Sequence, residues 1–498
     1  MPKARPKIDA RRTFFLLLGL TLLCAVHFSP SWADAVDPNG KAYPLTREGK
    51  AAIALFLLAA TWWIFEVIPI GITSIAIAVV QLHFLIYRTD SASGSFLKLE
   101  KAFRDFMDPS VWFIFGSLTI GMVFTKTGLT RRLAYKMLVL VGERTSMIYL
   151  GCFTLTAGLT LIMAHTAVAA TVFPLLMAIY SLYDEEGKPT KFGKGLFIGM
   201  AYMAGAGSII TLLGSARAAV AIGFFKTFTD TEISFFELPY YMLPLAATMV
   251  FLMWVGLMIV FKPERARIEG LREKSRALYA QLGPMSRQEI LAILIVAAAI
   301  GILCLKAVMP SSPFLQNLDK SAVILTATIL FFVLKILTLK ELEELPWNTI
   351  LLFGGAMSIG FCLWETGAAQ WLAVEWLVLF QHAHWLVFIL GIAFFVLVMT
   401  NFIMNVAAIA ISLPVALVLA SYLNVAGEVV LYASLVTAGM PFLCLVGAAP
   451  NAIAYESKQF TAGEFFVHGS WASVLLIGVL ALFVAVMWPL MGMPVLVR

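Results

Sequence analysis

MIYLGCFTLTAGLTLIMAHTAVAATVFPLLMAIYSL, residues 147–182, is apolar for far longer than one membrane crossing requires. About 20 residues suffice to span the hydrocarbon core. The run carries polar residues in its middle, Ala164-His165-Thr166, and a proline just beyond them, Pro174. Residues 384–422, HWLVFILGIAFFVLVMTNFIMNVAAIAISLPVALVLASY, have the same design, with a polar centre over Thr400–Val406 followed by Pro414. A helical hairpin that enters and leaves on one side fits both stretches. The non-helical tip of such a hairpin is tolerable only where protein or a water-filled cavity surrounds it.

Around these two stretches the chain is a series of apolar segments. They lie near 13–29, 50–69, 71–87, 110–126, 195–225, 237–261, 288–309, 320–338, 346–364, 428–455 and 468–490. The 498 residues are 61% hydrophobic and 13% charged, with a mean hydropathy of +0.91. Soluble domains carry about 25% charge, so this chain is an all-α integral membrane protein. Counting each hairpin as non-crossing leaves about eleven spans.

Charge orients them. Lys3, Arg5, Lys7, Arg11 and Arg12 place the N-terminus in the cytoplasm, as do Arg131-Arg132 and the long basic stretch 262–289 for the loops that follow. The first hairpin then opens toward the cytoplasm and the second away from it. The N-terminal segment, basic and then apolar with SPSWADA after it, also fits a cleavable leader; it is read here as the first span. The net charge of +6 belongs to this orientation and implies no nucleic acid. The five cysteines have no CxxC spacing and the six histidines no HExxH spacing, so neither a disulfide frame, a metal centre nor an organic cofactor is expected.

The chain repeats itself. FGSLTIGMVFTKTG (115–128) resembles FGGAMSIGFCLWETG (353–367) with one residue inserted. HTAVAATVFP (165–174) aligns with NVAAIAISLP (405–414), 240 residues later, and LLGSARAAVAI (212–222) aligns loosely with CLVGAAPNAIAY (444–455). Each unit has five spans. An odd number inverts the second copy, and inverted repeats with broken helices meeting at the midplane are a transporter architecture.

The two tips and the two broken spans therefore converge. In the breaks, Gly214-Ser215-Ala216-Arg217 and Gly447-Ala448-Ala449-Pro450-Asn451 interrupt the helix, freeing amides for an anion and carbonyls for a cation. Arg217 is the most informative residue. An arginine at this depth is expensive, and its planar fork suits a carboxylate or sulfonate. His165, Thr166, Ser215, Asn405 and Asn451 are further polar candidates. Glu66, a candidate buried acid beside Pro69, is read as structural; Lys126, Glu365 and Glu375 are read as interfacial.

At these residues the chain resembles the divalent anion:sodium symporter family, from about residue 45 to 490. TWWIFEVIPI (61–70) is similar to the family's WWxTEAIPI segment, LPWNTILLFGGAMSIG (345–360) to its PWxxxLLFGGG segment, and GAAPNAIAY (447–455) to its TPPNAIVF loop. The hairpin tips take the places of its paired Ser-Asn-Thr motifs. The resemblance implies a homodimer in the inner membrane, working as an elevator on dicarboxylates, citrate, sulfate or related anions, often with sodium. It implies a scaffold (13–134 and 290–378), a moving transport domain (145–261 and 382–490) and a cytoplasmic linker (262–289).

The departures are informative. The first Ser-Asn-Thr is here Ala164-His165-Thr166, and the first-half loop carries Arg217. Two side chains that can be positive therefore stand where the family places a sodium ion. The second motif is Met404-Asn405-Val406, which keeps only its asparagine. Thr400, Asn405, Pro450 and Asn451 still match the family's second sodium site, with Thr400, Asn405 and Asn451 as its candidate ligands here.

Two expectations follow. Arg217, with His165, substitutes for the first sodium, which suits an anion exchanger or a symporter using fewer sodium ions. The substrate has one strongly anionic end and a less polar remainder, since Met404 and Val406 make the second-half side apolar; Val406 and Pro450 complete the candidate substrate site. Another class stays open: a cation/proton antiporter of related architecture with Glu66 or His165 as proton carrier. Few buried acids favour it. Nothing in the spacing supports an enzyme.

Overall fold

The computed structural model describes residues 10–36, 41–82, 103–184, 188–309, 312–380 and 383–497. The first half begins with α1 (Ala10–Phe28), a two-stranded ribbon of β1 (Ala35–Val36) and β2 (Ala42–Tyr43), α2 (Arg47–Ile64) and α3 (Ile70–Val80). Then come α4 (Pro109–Thr127), α5 (Leu129–Val141), the hairpin arms α6 (Thr145–Leu159) and α7 (His165–Tyr183), the half-helices α8 (Lys191–Gly207) and α9 (Ala216–Thr229), and α10 (Glu237–Val260). A surface helix, α11 (Leu271–Gln281), links the halves.

The second half repeats the plan. It runs α12 (Arg287–Val308), α13 (Lys320–Val333), α14 (Trp347–Glu365), α15 (Ala368–Phe380), the arms α16 (Trp385–Thr400) and α17 (Asn405–Tyr422), the half-helices α18 (Gly427–Gly439) and α19 (Ala449–Tyr455), and α20 (Ala462–Leu482). Among the described residues, eight helices are long and apolar enough to cross a membrane. The hairpin arms α6 and α16, with 15 and 16 residues, are not; at 1.5 Å per residue they reach only about 24 Å of a core about 30 Å thick.

The halves match in detail. α4 and α14 have 19 residues each, and α5 and α15 have 13 each. The residues that end the two tips, Ala164 and Met404, have almost the same backbone, φ −58°, ψ 139° and φ −59°, ψ 140°. In each tip the amide four residues on, Met163 or Ile403, donates back to Leu159 or Met399 at 3.0 Å. Side chains differ there and the turn does not, so the fold repeats at the level of the backbone.

Contacts between helix ends sort into two faces. On the face bearing Ala10, Arg12 Nε donates to the Val67 carbonyl, the Gly71 amide to Asn348 Oδ1, and Arg132 to Glu289; Lys126 pairs with Glu341 and Lys194 with Glu464. On the other face Trp371 Nε1 donates to the Ala33 carbonyl, Lys226 and Lys320 pair with Glu232, and Val425 bridges to Leu496. Every pairing joins ends that an eleven-span alternation puts on the same side. The hairpins open on opposite faces, as an inverted repeat requires.

Two details depart from the sequence reading. The segment 320–338 is helical only to Val333, because Lys335 turns the chain at φ 54°. Glu66 is not buried: α2 ends at Ile64, and Glu66 takes φ 45° in an exposed turn on the Ala10 face.

Candidate anion-binding site

Each hairpin tip is locked to the break of a half-helix pair by a glycine. A Cβ on Gly214 would overlap the carbonyl oxygen of Thr160, and one on Gly447 would lie 3.1 Å from the carbonyl oxygen of Thr400. Thr160 and Thr400 are equivalent positions, 240 residues apart. Polar side chains complete each junction. Thr211 Oγ1 donates to the Leu161 carbonyl in the first. In the second, the amides of Leu443 and Cys444 donate to Asn401 Oδ1 at 2.8 and 3.1 Å. The halves also cross: α19 packs on α7 and α8, and α9 packs on α17 and α18.

Four helices start at this junction without a side-chain cap: α7, α9, α17 and α19. The first backbone bonds of the two hairpin helices run from Val168 to Ala164 and from Ala408 to Met404. The amides of His165, Thr166 and Ala167, and of Asn405, Val406 and Ala407, are thus left without a helical acceptor. Helix N-termini of this kind attract anions.

Arg217, in the first turn of α9, is 2% exposed. Its Nη2 donates to Ser208 Oγ at 2.9 Å, and Ser208 Oγ donates to the Gly205 carbonyl at 2.7 Å. The guanidinium also lies against Gly439, where a Cβ would collide with it. Ser208 closes the C-terminal end of α8 and Gly439 is the last residue of α18. Each such end carries about half a negative charge. Among the described residues no carboxylate pairs with Arg217. The two helix ends, one from each half, therefore supply about the compensation that an acid would. His165 stands within electrostatic range of the same guanidinium.

The end of α18 also gathers oxygen. Thr400 Oγ1 lies 3.0 Å from Asn405 Oδ1 and 3.0 Å from the Ala438 carbonyl at the end of α18. The Thr400 hydroxyl has one proton for these two neighbours; turning the Asn405 amide over lets its Nδ2, otherwise without a partner, donate to Thr400 Oγ1. The first-half counterpart, Thr160 Oγ1, turns back to its own helix at Ala157.

Three buried polar atoms here have no partner among the described residues: Ser215 Oγ, Arg217 Nε and Asn405 Nδ2. All three belong to side chains the sequence singles out. Asn451 is 2% exposed, and its Nδ2 donates to the carbonyls of Pro441 and Cys444 at 2.8 and 3.0 Å, holding the break in shape. Pro450 and Val406 are buried, His165 is half-buried and Thr166 is exposed.

The sequence reading missed Ser208 and Gly439, which seat Arg217, and Thr211 and Asn401, which pin the tips. Phe402 in the second tip and Val446 in the second break are 59% and 77% exposed. Asn401 lies in the quoted polar tip and was legible there. The carbonyl of Ala438 has no sequence signal at all.

The family model for the sodium:sulfate symporter transmembrane region matches residues 40–494. The sodium-dependent dicarboxylate transporter SdcS of Staphylococcus saprophyticus is 25% identical over 463 residues, covering 89% of this chain and 87% of that protein. The protein of the same name from Staphylococcus aureus is 24% identical over 493 residues, covering 95% and 90%. Two solved structures share the fold. One is MtrF of Neisseria gonorrhoeae, described as illuminating a class of antimetabolite efflux pumps (TM-score 0.58, 12% identity, covering 97% of this chain and 96% of that one). The other is the YdaH transporter of Alcanivorax borkumensis (TM-score 0.53, 14% identity, covering 97% and 98%). The inverted hairpins, the junction of helix ends and a family match over nearly the whole chain agree: this protein is an anion transporter belonging to the divalent anion:sodium symporter family.

Proposed function

We propose that this protein carries a small carboxylate or sulfonate with an apolar remainder, with Arg217 standing in for one of two coupling cations. The observation that carries the reading is the placement of Arg217. A buried guanidinium without an acid sits at the C-terminal ends of α8 and α18. In the second half the oxygens of Thr400, Asn405 and Ala438 gather, and these would hold sodium. Half-helix C-termini are where transporters coordinate cations and N-termini where they meet anionic groups. The substrate's charged end then faces the free amides of α7 and α17 with Ser215 and Arg217. Its remainder faces Phe402, Val446 and Val406, with Pro450 and Asn451 shaping the loop. The sodium-dependent dicarboxylate transporters among the relatives make a dicarboxylate the first substrate to test.

The motion in this reading is an elevator. The transport unit is 145–261 with 382–490, the scaffold is 13–134 with 290–378, and 262–289 links them, in a homodimer with the basic Ala10 face in the cytoplasm. Unequal exposure of the hairpins supports it. Of the helical window, 44% is buried in α7 and 83% in its equivalent α17. In this reading the two hairpins exchange burial as the carrier passes from one state to the other.

Uptake into proteoliposomes tests the reading, driven in turn by a sodium gradient, a pH gradient or preloaded counter-anion. An exchange cycle never moves the empty carrier, in which Arg217 Nε has no partner, so preloaded counter-anion should accelerate uptake. Sodium dependence should have a Hill coefficient near one. Uptake that needs two or more sodium ions per anion and ignores counter-anion refutes the cation substitution. Uptake driven by pH alone would favour the antiporter reading, which lacks a buried acid at Glu66.

A further inference from the structure

The inverted repeat builds a cavity at each seam between hairpin and neighbouring helices, and only one of the two has a charged mouth. On the Ala10 face a cavity of about 350 Å³ lies between α7, α4, α5 and the surface helix α11. Its floor is apolar, formed by Leu138, Leu159, Val172 and Leu175. Its mouth holds Arg131 and Lys274, both exposed. The counterpart on the other face, about 330 Å³, is lined at matching positions by Met399, Ser412 and Val415, 240 residues after Leu159, Val172 and Leu175. There no charged side chain lines the cavity; its polar groups are the Trp376 indole and Ser412, which already donates to the Ala408 carbonyl.

The contrast identifies the occupant. The repeat supplies a greasy cleft twice, and cations have been added once. Among the described residues neither Arg131 nor Lys274 is paired with a carboxylate, although the adjacent Arg132 is held by Glu289 and the carbonyls of Leu282, Gly283 and Pro284. A soluble anion would use the two cations and leave the apolar floor wet. An acyl chain alone would use the floor and leave the cations unused. We propose that this cleft binds one anionic phospholipid, its phosphate on Arg131 and Lys274 and one acyl chain between α5 and α7. Basic pockets between membrane helices recognise such headgroups. The site concerns the seam and not the transported anion, so its failure leaves the carrier reading intact.

Native mass spectrometry of the full-length protein, equilibrated with equal phosphatidylglycerol and phosphatidylcholine, tests this. Wild type should retain phosphatidylglycerol over phosphatidylcholine. Each basic side chain near a phosphate is worth about fivefold, so R131Q/K274Q should lose about 25-fold in phosphatidylglycerol retention. A178W, which narrows the cleft beside Leu175 and Leu182, should lose retention with both cations intact. Both variants should melt like wild type, since Arg131, Lys274 and Ala178 are all exposed. Equal retention in wild type and R131Q/K274Q overturns the proposal. So does displacement of the lipid by millimolar glycerol phosphate, which would make the site one for a soluble anion, or unchanged retention in A178W.

Discussion

Replacing Arg217 with glutamine separates a functional cation from a structural one. The guanidinium has five N–H donors. One, on Nη2, meets Ser208 Oγ, and Nε has no partner. Its charge is balanced by the ends of α8 and α18, about half a charge each, rather than by an acid. Removing one partner of a desolvated charge pair costs about 2–5 kcal/mol, so anion Kd should rise by roughly 30- to 4,000-fold. Stability without anion should change little, because the substitution removes the cost of burying a charge together with the compensation from the two helix ends. The helix ends would then lack their cation, so a second sodium should bind. The apparent Hill coefficient for sodium should rise by about one. Calorimetric titration of anion at several sodium concentrations, with thermal unfolding of the anion-free protein, reads all three effects. If the glutamine variant binds anion within about threefold of wild type and melts several degrees lower without it, Arg217 is a structural brace and the reasoning fails.

Three further perturbations follow from the same geometry. Gly214→Ala drives a methyl group into the Thr160 carbonyl, and backbone cannot yield as a side chain does. It should cost more than about 3 kcal/mol and abolish a monodisperse peak in size exclusion, whereas Gly158→Ala, which points into open space, should be nearly neutral. Thr400→Val removes the hydroxyl shared by Asn405 and Ala438 and should raise the sodium concentration for half-maximal uptake about tenfold while leaving uptake at saturating sodium close to wild type. Glu264 lies in the loop after α10; burial raises its carboxyl, but the amides of Lys191 and Phe192 and the Tyr183 hydroxyl outweigh that and hold it below the ordinary carboxylate range. A lowered carboxyl stabilises the fold above its unfolded pKa and loses that effect as pH falls through the folded one, so thermal stability should drop below about pH 4.5 in wild type and show a smaller drop in Glu264→Gln.

The membrane architecture was legible because one physical length dominates it. A run of 36 apolar residues at 147–182 cannot be one span of a 30 Å layer, and its partner at 384–422 repeats the polar centre at a fixed offset. The breaks were legible for a related reason, since glycine, proline and arginine have no cheap place inside an apolar helix. The short helices α5 and α15 were not, because 13 residues between two spans look like a loop when only length is read. The seat of Arg217 was hidden as well. Ser208 is nine residues before it, but Gly439 is in the other half, and a glycine chosen to make room for a distant side chain looks like any other. Glu66 misled because an acid beside apolar residues suggests burial, whereas the left-handed turn after α2 puts it outside.

The repeat also explains why these departures could arise without disturbing the fold. The last residues of its two tips, Ala164 and Met404, agree to within a degree in φ and ψ, yet one is followed by His165 and the other by Asn405. That geometry is set by turn bonds between backbone groups and by the glycines packed against the tips. The side chains at the start of α7 and α17 are therefore free to change. What they cannot change is the electrostatic demand of the half-helix ends, which exists in both halves whatever the sequence. A mobile cation can meet that demand, or a guanidinium can. In the proposed carrier the second half keeps the first solution and the first half has taken the other. The coupling of such a protein is then set by how many of its two helix-end sites have been filled covalently, a property readable from one residue in each half.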